Sequence, residues 1–313
     1  MRETELIKLI REMNQGRAPG LVAGIGDDCA ILRPRAGEDL LVTTDFLLEG
    51  VHFLRETHSA ADCGWKTLAR GLSDIAAMGG AARYAFVSLA LAPWAGAAWV
   101  RAFYRGLNAL ARRHGVVVAG GDLTGAEKLL CDIIVLGAVK RGRALRRGGA
   151  RPGDLLYVTG RLGGSAFGLE THEGSAWKRH VRPQPRIEVG LQLSTRLGAT
   201  ACMDISDGLA LDLFRLCTES QCTAELHGNL PLFPGATVHQ ALSGGEDYEL
   251  LFSAPARQSI PPFIAGVPVT EIGRCVRGKP GQILFAGKPL PASGWDPFRK
   301  SAAGARSIYS GCK

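Results

Sequence analysis

Apolar runs of strand length that lead into aspartate recur along this chain, and they constrain its fold more than any other feature. In residues 41–53, LVTTDFLLEGVHF, two apolar residues and two β-branched threonines precede Asp45. β-branched residues favour a pleated strand, and a carboxylate at its end needs a counter-charge. The hydroxyls of Thr43 and Thr44 and the carboxylate of Asp45 are hard oxygen donors of the kind that Mg²⁺ prefers. The simpler alternative is a strand that runs into an Asp-initiated turn.

The chain length indicates two domains, because 313 residues lie at the upper limit for one hydrophobic core. Pro152, Gly153 and Asp154 interrupt the pattern, so we predict an N-terminal domain over 1–150 and a C-terminal domain over 151–313. The apolar patterns predict two long helices, over residues 64–80 and 93–115. They also predict several strands, among them 84–91, 131–140, 155–159 and 250–253. The predicted fold class is therefore α/β (α+β).

The charge balance predicts small anionic ligands. Lys and Arg number 37 against 29 Asp and Glu, which gives a net charge of +8. A basic surface attracts anions, and much of the excess lies in residues 140–151 and after Phe298. The sequence has no basic helix with interleaved aromatic residues and no recognisable nucleic-acid module. We therefore expect small phosphorylated ligands and no nucleic-acid partner.

The sequence predicts a cytoplasmic protein with no membrane partner. The first residues, MRETELIKLIREMN, carry charges throughout and contain no apolar signal-peptide core. Residues 84–100 carry no charge, but they contain Pro93 and Gly96 and fall short of the ~20 apolar residues that a membrane span needs. Eight cysteines occur without any CxxC pair, which predicts reduced thiols and argues against zinc.

Further aspartates stand in similar contexts. Asp27 and Asp28 are adjacent in the glycine-rich stretch GIGDDCAI, and because neighbouring strand residues face opposite ways we choose Asp27 as the ligand. Asp74 lies inside a predicted helix beside its apolar stripe, where an exposed helical aspartate is the alternative. Asp122 follows a predicted strand over 116–119 and two glycines, which we expect to let the backbone approach a phosphate. Later in the chain, ACMDISDG supplies two more acids, Asp204 and Asp207.

Six such aspartates in a basic protein predict bound divalent metal, since neighbouring carboxylates repel each other unless a cation lies between them. Six solvated turn aspartates are the alternative. The chain contains neither the Walker phosphate loop nor the protein-kinase motifs, so a nucleotide must be held in another way.

Seven motifs in order resemble those of the thiamine-monophosphate kinase family, within the aminoimidazole ribonucleotide synthetase-like superfamily. They are GIGDDCAIL, TTDFLLEGVHF, GLSDIAAMGG, GGDLTG, LRRGGARPGDLLYVTG, MDISDGLALDL and GGEDYELLF, and they cover nearly the whole chain. The glycine-rich N-terminal segment with a reactive cysteine that selenophosphate synthetase would need is missing.

The resemblance implies an N-terminal domain whose sheet forms a barrel with that of a second subunit, hence a homodimer, and a C-terminal α/β domain. It implies transfer of the γ-phosphoryl group of ATP, the co-substrate, to thiamine monophosphate, with several Mg²⁺ ions and no covalent nucleophile. The implied metal ligands are Asp27, Thr43, Thr44, Asp45, Asp74, Asp122, Asp204 and Asp207. The implied ATP contacts are Tyr104, Gly121, Arg147 and Ser206. The implied substrate contacts are His52, Glu246 and Trp295.

Several points stay open at this stage. Arg146 is adjacent to Arg147 and can replace it, and His52 can instead be a packed strand histidine. The sequence departs from the family at residues 220–222, at Gly71 and in the tail over 299–313, and we expect none of these departures to touch a proposed ligand. The alternative functions are another ATP-using enzyme of the superfamily, a non-catalytic nucleotide-binding scaffold and a metal-dependent phosphatase.

Overall fold

The computed structural model describes residues 3–25, 29–296 and 298, and it divides the chain into two compact units. The first unit contains the described residues up to Ile75 together with Ala81–Arg141. The second contains Ala76–Gly80 and the described residues from Gly142 onward.

The described residues of the first unit form three helices, a four-stranded sheet and a two-stranded ribbon. Its helices are α1 (Glu3–Met13), α2 (Ala60–Ala77, whose last two residues belong to the second unit) and α3 (Ala97–His114). Its strands are β1 (Leu21–Ala23), β2 (Ile31–Leu32), β3 (Glu38–Leu48), β4 (Ala81–Leu91), β5 (Val117–Gly125) and β6 (Leu130–Lys140). β1 pairs with β2, and the larger sheet has the order β3-β6-β4-β5.

Alternation along β3 separates the two faces of the larger sheet. Leu41 and Leu47 are buried, whereas Leu40, Val42 and Phe46 are more than half exposed. Side chains two residues apart share a face, so one face of β3 packs into the unit and the other presents apolar side chains outward.

Close backbone contacts hold the two long helices against each other. A side chain at Gly64 of α2 would place its Cβ 1.9 Å from the carbonyl oxygen of Phe103, and one at Gly106 of α3 would meet that of Ala61 at 1.8 Å. Neither position has room for a side chain. α2 also lies close to the sheet, because a Cβ at Gly71 would meet Val135 at 2.6 Å.

The second unit is an α/β structure around one large sheet. Its strands are β7 (Asp154–Thr159), β8 (Ala201–Ile205), β9 (Thr223–Leu226), β10 (Glu249–Pro255), β11 (Phe263–Ile264), β12 (Val267–Val276), β13 (Ile283–Phe285) and β14 (Lys288–Pro289). Its helices are α4 (Gly164–Thr171), α5 (Gly174–Val181), α6 (Ile187–Thr195), α7 (Leu209–Glu219) and α8 (Val238–Ser243). The strand order is β14-β13-β9-β12-β7-β10-β8, with β11 added beside β12. The prediction of mixed α/β structure is confirmed.

A buried ionic network anchors β10 of this sheet. The carboxylate of Glu249 is fully buried and receives the guanidinium groups of Arg179 and Arg186 and the hydroxyl of Thr159. Burial opposes ionisation of Glu249, yet the hydrogen bonds and charges of Arg186 and Arg179 hold the pKa of this carboxyl below its usual value. A charge buried with its partners rigidifies the start of β10. None of the described helices combines the length and the apolar character that crossing a membrane requires.

Candidate functional site

Two polar contacts join β3 to α2. The Oγ1 of Thr43 donates a hydrogen bond to Oδ2 of Asp74. Nη2 of Arg70 lies 2.5 Å from Oδ1 of Asp45. Thr43 and Asp45 are two residues apart on the strand, and Arg70 and Asp74 are four residues apart on the helix. Each spacing corresponds to about 6 Å along its element, so the two contacts lie side by side. The structure thus brings together three of the predicted metal ligands of the first unit.

The prediction that strand 41–45 ends at its carboxylate is wrong. β3 continues through Asp45 to Leu48, because all of its residues pair with β6. Thr44 consequently lies on the other face of the sheet from Thr43 and Asp45. Its pairing partner on β6 is Ile134. The three side chains cannot converge on one ion.

Asp122 also lies within a strand, and here too the predicted strand end is wrong. β5 runs from Val117 through Asp122 to Gly125, and Asp122 is exposed opposite Ser88 of β4. Strands β6 and β4 lie between β3 and β5, which puts about 14 Å between Asp45 and Asp122. These two aspartates cannot share an ion in this arrangement.

Gly121 has a structural role in addition to the expected approach to a phosphate. Its φ is +152°, and a Cβ at this position would lie 1.9 Å from the carbonyl oxygen of Val87. The glycine is therefore required by the close pairing of β5 with β4.

A cavity of about 840 Å³ in the first unit joins three predicted site residues, Tyr104, Gly121 and Asp122. Its wall includes Phe86 and Ser88 of β4. Tyr104 is almost fully buried, and burial raises the pKa of its phenol. The phenol therefore stays protonated and can act as a hydrogen-bond donor. A cavity of this size is sufficient for a small-molecule ligand.

His52 is held as a neutral imidazole with a defined tautomer. Its Nδ1 accepts a hydrogen bond of 3.0 Å from the backbone N–H of Leu48, so the ring proton lies on Nε2. Burial, together with the positive charges of Arg70 and Lys66, lowers the pKa of His52 to about 2. Lys66 is fully buried and donates from Nζ to the carbonyl oxygen of His52 at 3.2 Å. His52 can therefore donate one hydrogen bond from Nε2.

The second unit brings four predicted site residues into one group of loops. The backbone N–H of Glu246 donates to the carbonyl oxygen of Ser206 at 2.8 Å, and that of Trp295 donates to the carbonyl oxygen of Asp207 at 2.9 Å. Asp204 is buried on β8 immediately before this turn. The resemblance implies that Asp207 binds metal, that Ser206 contacts ATP and that Glu246 and Trp295 contact the acceptor. Backbone hydrogen bonds thus join each implied acceptor contact to a residue of the turn.

Sequence reasoning missed Asp212 and Arg215, which shape the turn at Ser206 and Asp207. Oδ2 of Asp212 accepts hydrogen bonds from the backbone N–H groups of Ser206 and Asp207 at 3.0 and 2.9 Å. Arg215 contacts the carboxylates of Asp207 at 2.6 Å and Asp212 at 2.7 Å. Burial, with the charge of Asp207, raises the pKa of Asp212 to about 6. The helical spacing of Asp212 and Arg215 in α7, three residues, was the available signal.

Glu246 is positioned by a histidine that the sequence did not identify. Nδ1 of His180 lies 3.5 Å from Oε2 of Glu246 and 2.9 Å from Oγ of Ser165. Both His180 and Glu246 are buried. The φ of Glu246 is +66°, a conformation that non-glycine residues rarely adopt. Its neighbour Asp247 anchors the loop by accepting from the backbone N–H groups of Gly163 and Ser165.

The segment with Arg146 and Arg147 is tied to its surroundings by its backbone. The carbonyl oxygen of Arg146 accepts from the N–H of Cys202 at 2.9 Å, and that of Arg147 accepts from Oγ of Ser220 at 2.7 Å. Both arginines are exposed. The expectation that residues 220–222 touch no proposed ligand is therefore wrong for Ser220, whose Oγ also accepts from the N–H of Ala150.

The donor chemistry of these residues fits Mg²⁺. The candidate ligands are carboxylates and hydroxyls, which are hard oxygen donors, and Arg70 and Arg215 supply positive charge to Asp45 and Asp207. Within the described part of the chain, no three His, Cys, Asp or Glu side chains are grouped closely enough to hold a metal ion. Asp27 lies outside the described residues, as does the tail over 299–313.

Residues 26–139 match the family model of AIR synthase related proteins, N-terminal domain. The thiamine-monophosphate kinase of Salmonella typhimurium is 41% identical in an alignment that covers 80% of this chain and 83% of that protein. That of Escherichia coli K12 is 38% identical over 88% of this chain and 91% of that protein. The chain belongs to the thiamine-monophosphate kinase family.

Solved structures support the same assignment. The thiamine-monophosphate kinase of Stenotrophomonas maltophilia matches with a TM-score of 0.81 and 36% identity over 93% of this chain and 98% of that chain. AaThiL complexed with AMPPCP and TMP matches with a TM-score of 0.77 and 32% identity over 95% of this chain and 99% of that chain. The hydrogenase maturation protein HypE of E. coli, at 18% identity and a TM-score of 0.74, shares the fold.

Proposed function

We propose that this protein transfers the γ-phosphoryl group of ATP to the phosphate of thiamine monophosphate, giving thiamine diphosphate and ADP. The observation that carries the proposal is the match, over 95% of this chain, to a family structure complexed with AMPPCP and TMP. The protein's own geometry supports it, because the turn at Ser206 and Asp207 is hydrogen-bonded to Glu246 and Trp295.

The roles of the site residues in this proposal follow the family resemblance. ATP is contacted by Tyr104, Gly121, Arg147 and Ser206, and the cavity that Tyr104 and Gly121 line supports the first two. The acceptor is contacted by His52, Glu246 and Trp295. Mg²⁺ would be held by Asp27, Thr43, Thr44, Asp45, Asp74, Asp122, Asp204 and Asp207. The separation of Thr44 and Asp122 from Asp45 favours several ions over one.

The main barrier to this reaction is charge repulsion, because both reacting groups are anionic phosphates. Bound Mg²⁺ would neutralise phosphate charge and align the donor with the acceptor. The chain's own part is to hold the two partners in line and to supply positive charge from Arg147. A phosphate oxygen is already nucleophilic, so no side chain has to form a covalent intermediate.

The acceptor contacts fit a cationic heteroaromatic ring system next to a phosphate. The carboxylate of Glu246 suits positive charge, the neutral His52 offers one donor at Nε2, and the ring of Trp295 suits stacking on an aromatic or cationic ring. Free thiamine lacks the phosphate that attacks ATP, so we expect it to be left unchanged.

We also propose the domain roles and the assembly. Residues 1–150 carry most of the ATP and Mg²⁺ contacts and the dimer contact, and residues 151–313 form the C-terminal α/β domain, which adds Ser206, Asp204 and Asp207. The outward apolar face of β3, with Leu40, Val42 and Phe46, supports a homodimer in which two such sheets pair into a barrel. A cytoplasmic location is supported by the free thiols of the described cysteines, since disulfides are rare in that compartment.

The test is to separate the products of the reaction by chromatography. Protein, ATP and Mg²⁺ are incubated with thiamine monophosphate, with thiamine or with no acceptor. We expect ADP and thiamine diphosphate in equal amounts in the first sample alone. Equal ATP hydrolysis without an acceptor would support a phosphatase, a product from thiamine would mean a different acceptor, and no turnover at all would favour a non-catalytic scaffold.

A further inference from the structure

Arg70 occupies a position from which its charge bears directly on a proposed metal ligand. It lies in the middle of α2 and reaches back to β3, where Nη2 is 2.5 Å from Oδ1 of Asp45. The pair is largely buried, with side-chain exposures of 12% for Arg70 and 22% for Asp45. Such a pair is screened by water much less than a surface ion pair.

The same helix carries a second acid at this place. Asp74 lies one helical turn after Arg70 and is hydrogen-bonded to Thr43 on the same face of β3. Among the residues that the structure describes, Asp45, Asp74 and Arg70 thus place two carboxylates and one guanidinium at this point. Two carboxylates balance one divalent ion, but with the guanidinium still in contact the group would carry excess positive charge.

The backbone of Arg70 is held close to the sheet. Gly71, the next residue, packs against Val135 with no room for a Cβ. Helix α2 therefore cannot move closer to the sheet, and its rotation about its axis is restricted. The arginine side chain has several rotatable bonds, so its guanidinium can move off the carboxylate without a change in the fold. The guanidinium can leave Asp45 while the helix stays in place.

We propose that Arg70 is an internal counter-ion that occupies Asp45 in the absence of metal and competes with Mg²⁺ for this carboxylate. Arg70 thereby sets the concentration of Mg²⁺ at which the first unit becomes loaded. The inference rests on the proposed role of Asp45 as a metal ligand. Arg70 in this role is a positioning residue and contacts no substrate.

The experiment measures Mg²⁺ binding by calorimetry without nucleotide, together with the rise in Tm caused by Mg²⁺. Arg70→Gln removes the competing charge and should tighten Mg²⁺ binding by about tenfold or more, as expected for loss of one charge at this distance. Its Tm without metal should fall and should recover more than that of the wild type when Mg²⁺ is added.

Arg83→Gln is the matched control. Arg83 forms an ion pair with Glu38 at 2.6 Å in the same unit, with side-chain exposures of 22% and 25%. Its loss should lower Tm without changing Mg²⁺ affinity. In the double variant Arg70→Gln with Asp45→Asn, the gain in affinity should disappear.

The outcomes separate this inference from the proposed function. Unchanged or weaker Mg²⁺ binding by Arg70→Gln would overturn the competition. Measurable binding by Arg70→Gln where the wild type shows none would be its strongest support. Equal binding by the wild type and Asp45→Asn would remove Asp45 from the metal site, and with it the inference, while leaving the kinase reaction to the product assay.

Discussion

The backbone N–H of Glu246 donates a hydrogen bond of 2.8 Å to the carbonyl oxygen of Ser206. This bond links a residue proposed to contact the acceptor with one proposed to contact ATP. A shift of either loop is therefore transmitted to the other, so the side chain of Glu246 must be tested by a change that leaves its backbone in place.

Glu246→Gln should weaken acceptor binding selectively. The change removes the negative charge and keeps the shape of the side chain, so the backbone hydrogen bond to Ser206 is retained. A hydrogen bond to a charged group contributes about 1.5–3 kcal/mol, which predicts a rise of tenfold or more in KM for thiamine monophosphate. KM for ATP should change by less than about twofold.

Glu271→Gln is the control for this measurement. Glu271 lies 3.4 Å from Nε2 of His227 in an exposed pair that resembles the pair of Glu246 with His180. Its loss should leave both KM values unchanged. A Glu246→Gln protein with unaltered KM for thiamine monophosphate would remove Glu246 from the acceptor site.

His52 should make stability depend on pH in a way that its replacement abolishes. The pKa of His52 in the folded protein is about 2, below the value of about 6.5 in an unfolded chain. Protonation therefore favours the unfolded state, and the stabilisation present above pH 6.5 is lost as the pH falls below it. Between pH 7 and pH 5 the wild type should lose about 2 kcal/mol relative to His52→Gln.

Urea unfolding of the two proteins at pH 7, 6 and 5 measures this difference directly. The unfolding free energy of the wild type minus that of His52→Gln should shrink steadily as the pH is lowered. A difference that stays constant over this range would show that His52 has the same pKa in the folded and unfolded states, contrary to an imidazole that burial keeps neutral.

Gly121→Ala should destabilise the first unit by several kcal/mol. The added Cβ would lie 1.9 Å from the carbonyl oxygen of Val87, and the φ of +152° is strained for any other residue. Thermal unfolding measures the loss. Gly125→Ala on the same strand is the control, because its Cβ would meet nothing within 4 Å, and it should change Tm by no more than a degree or two. Equal effects of the two substitutions would contradict the close pairing of β4 with β5.

Local sequence pattern predicted much of this fold. The predicted strand over 131–140 corresponds to β6 (Leu130–Lys140), and that over 155–159 to β7 (Asp154–Thr159). The pattern did not show that the strands containing Asp45 and Asp122 continue past these residues. Strand ends depend on pairing partners that are distant in sequence, such as β6 beside β3.

Some residues of the candidate site were proposed from the sequence, and others were not. Ser206, Asp207 and Glu246 were proposed from short motifs, and their roles stay a prediction. Arg70 and His180 were not, because each acts through a contact between separate elements, α2 with β3 and α5 with the loop at Glu246. A polar residue on a helix carries no local signal of the partner that it meets after folding.

The outward face of the sheet in the first unit should mediate self-association. Val42 is 58% exposed and Phe46 is 54% exposed on β3, and exposed apolar patches of this kind mark interaction surfaces. Light scattering at micromolar protein should give a mass of about twice 33.2 kDa. Val42→Lys combined with Phe46→Lys should shift the protein to a monomer, because burying two unpaired charges in the contact costs several kcal/mol.

Phe263→Lys is the control for this double substitution. Phe263 is 63% exposed on β11, in the second unit and outside the sheet of the first. Like each change in the double variant, it replaces an exposed apolar side chain by one lysine, so it tests whether added surface charge alone dissociates the dimer. The dimer should persist in this variant. A wild-type protein that is monomeric at micromolar concentration, or a Phe263→Lys variant that dissociates as readily as the double variant, would rule out the paired sheets.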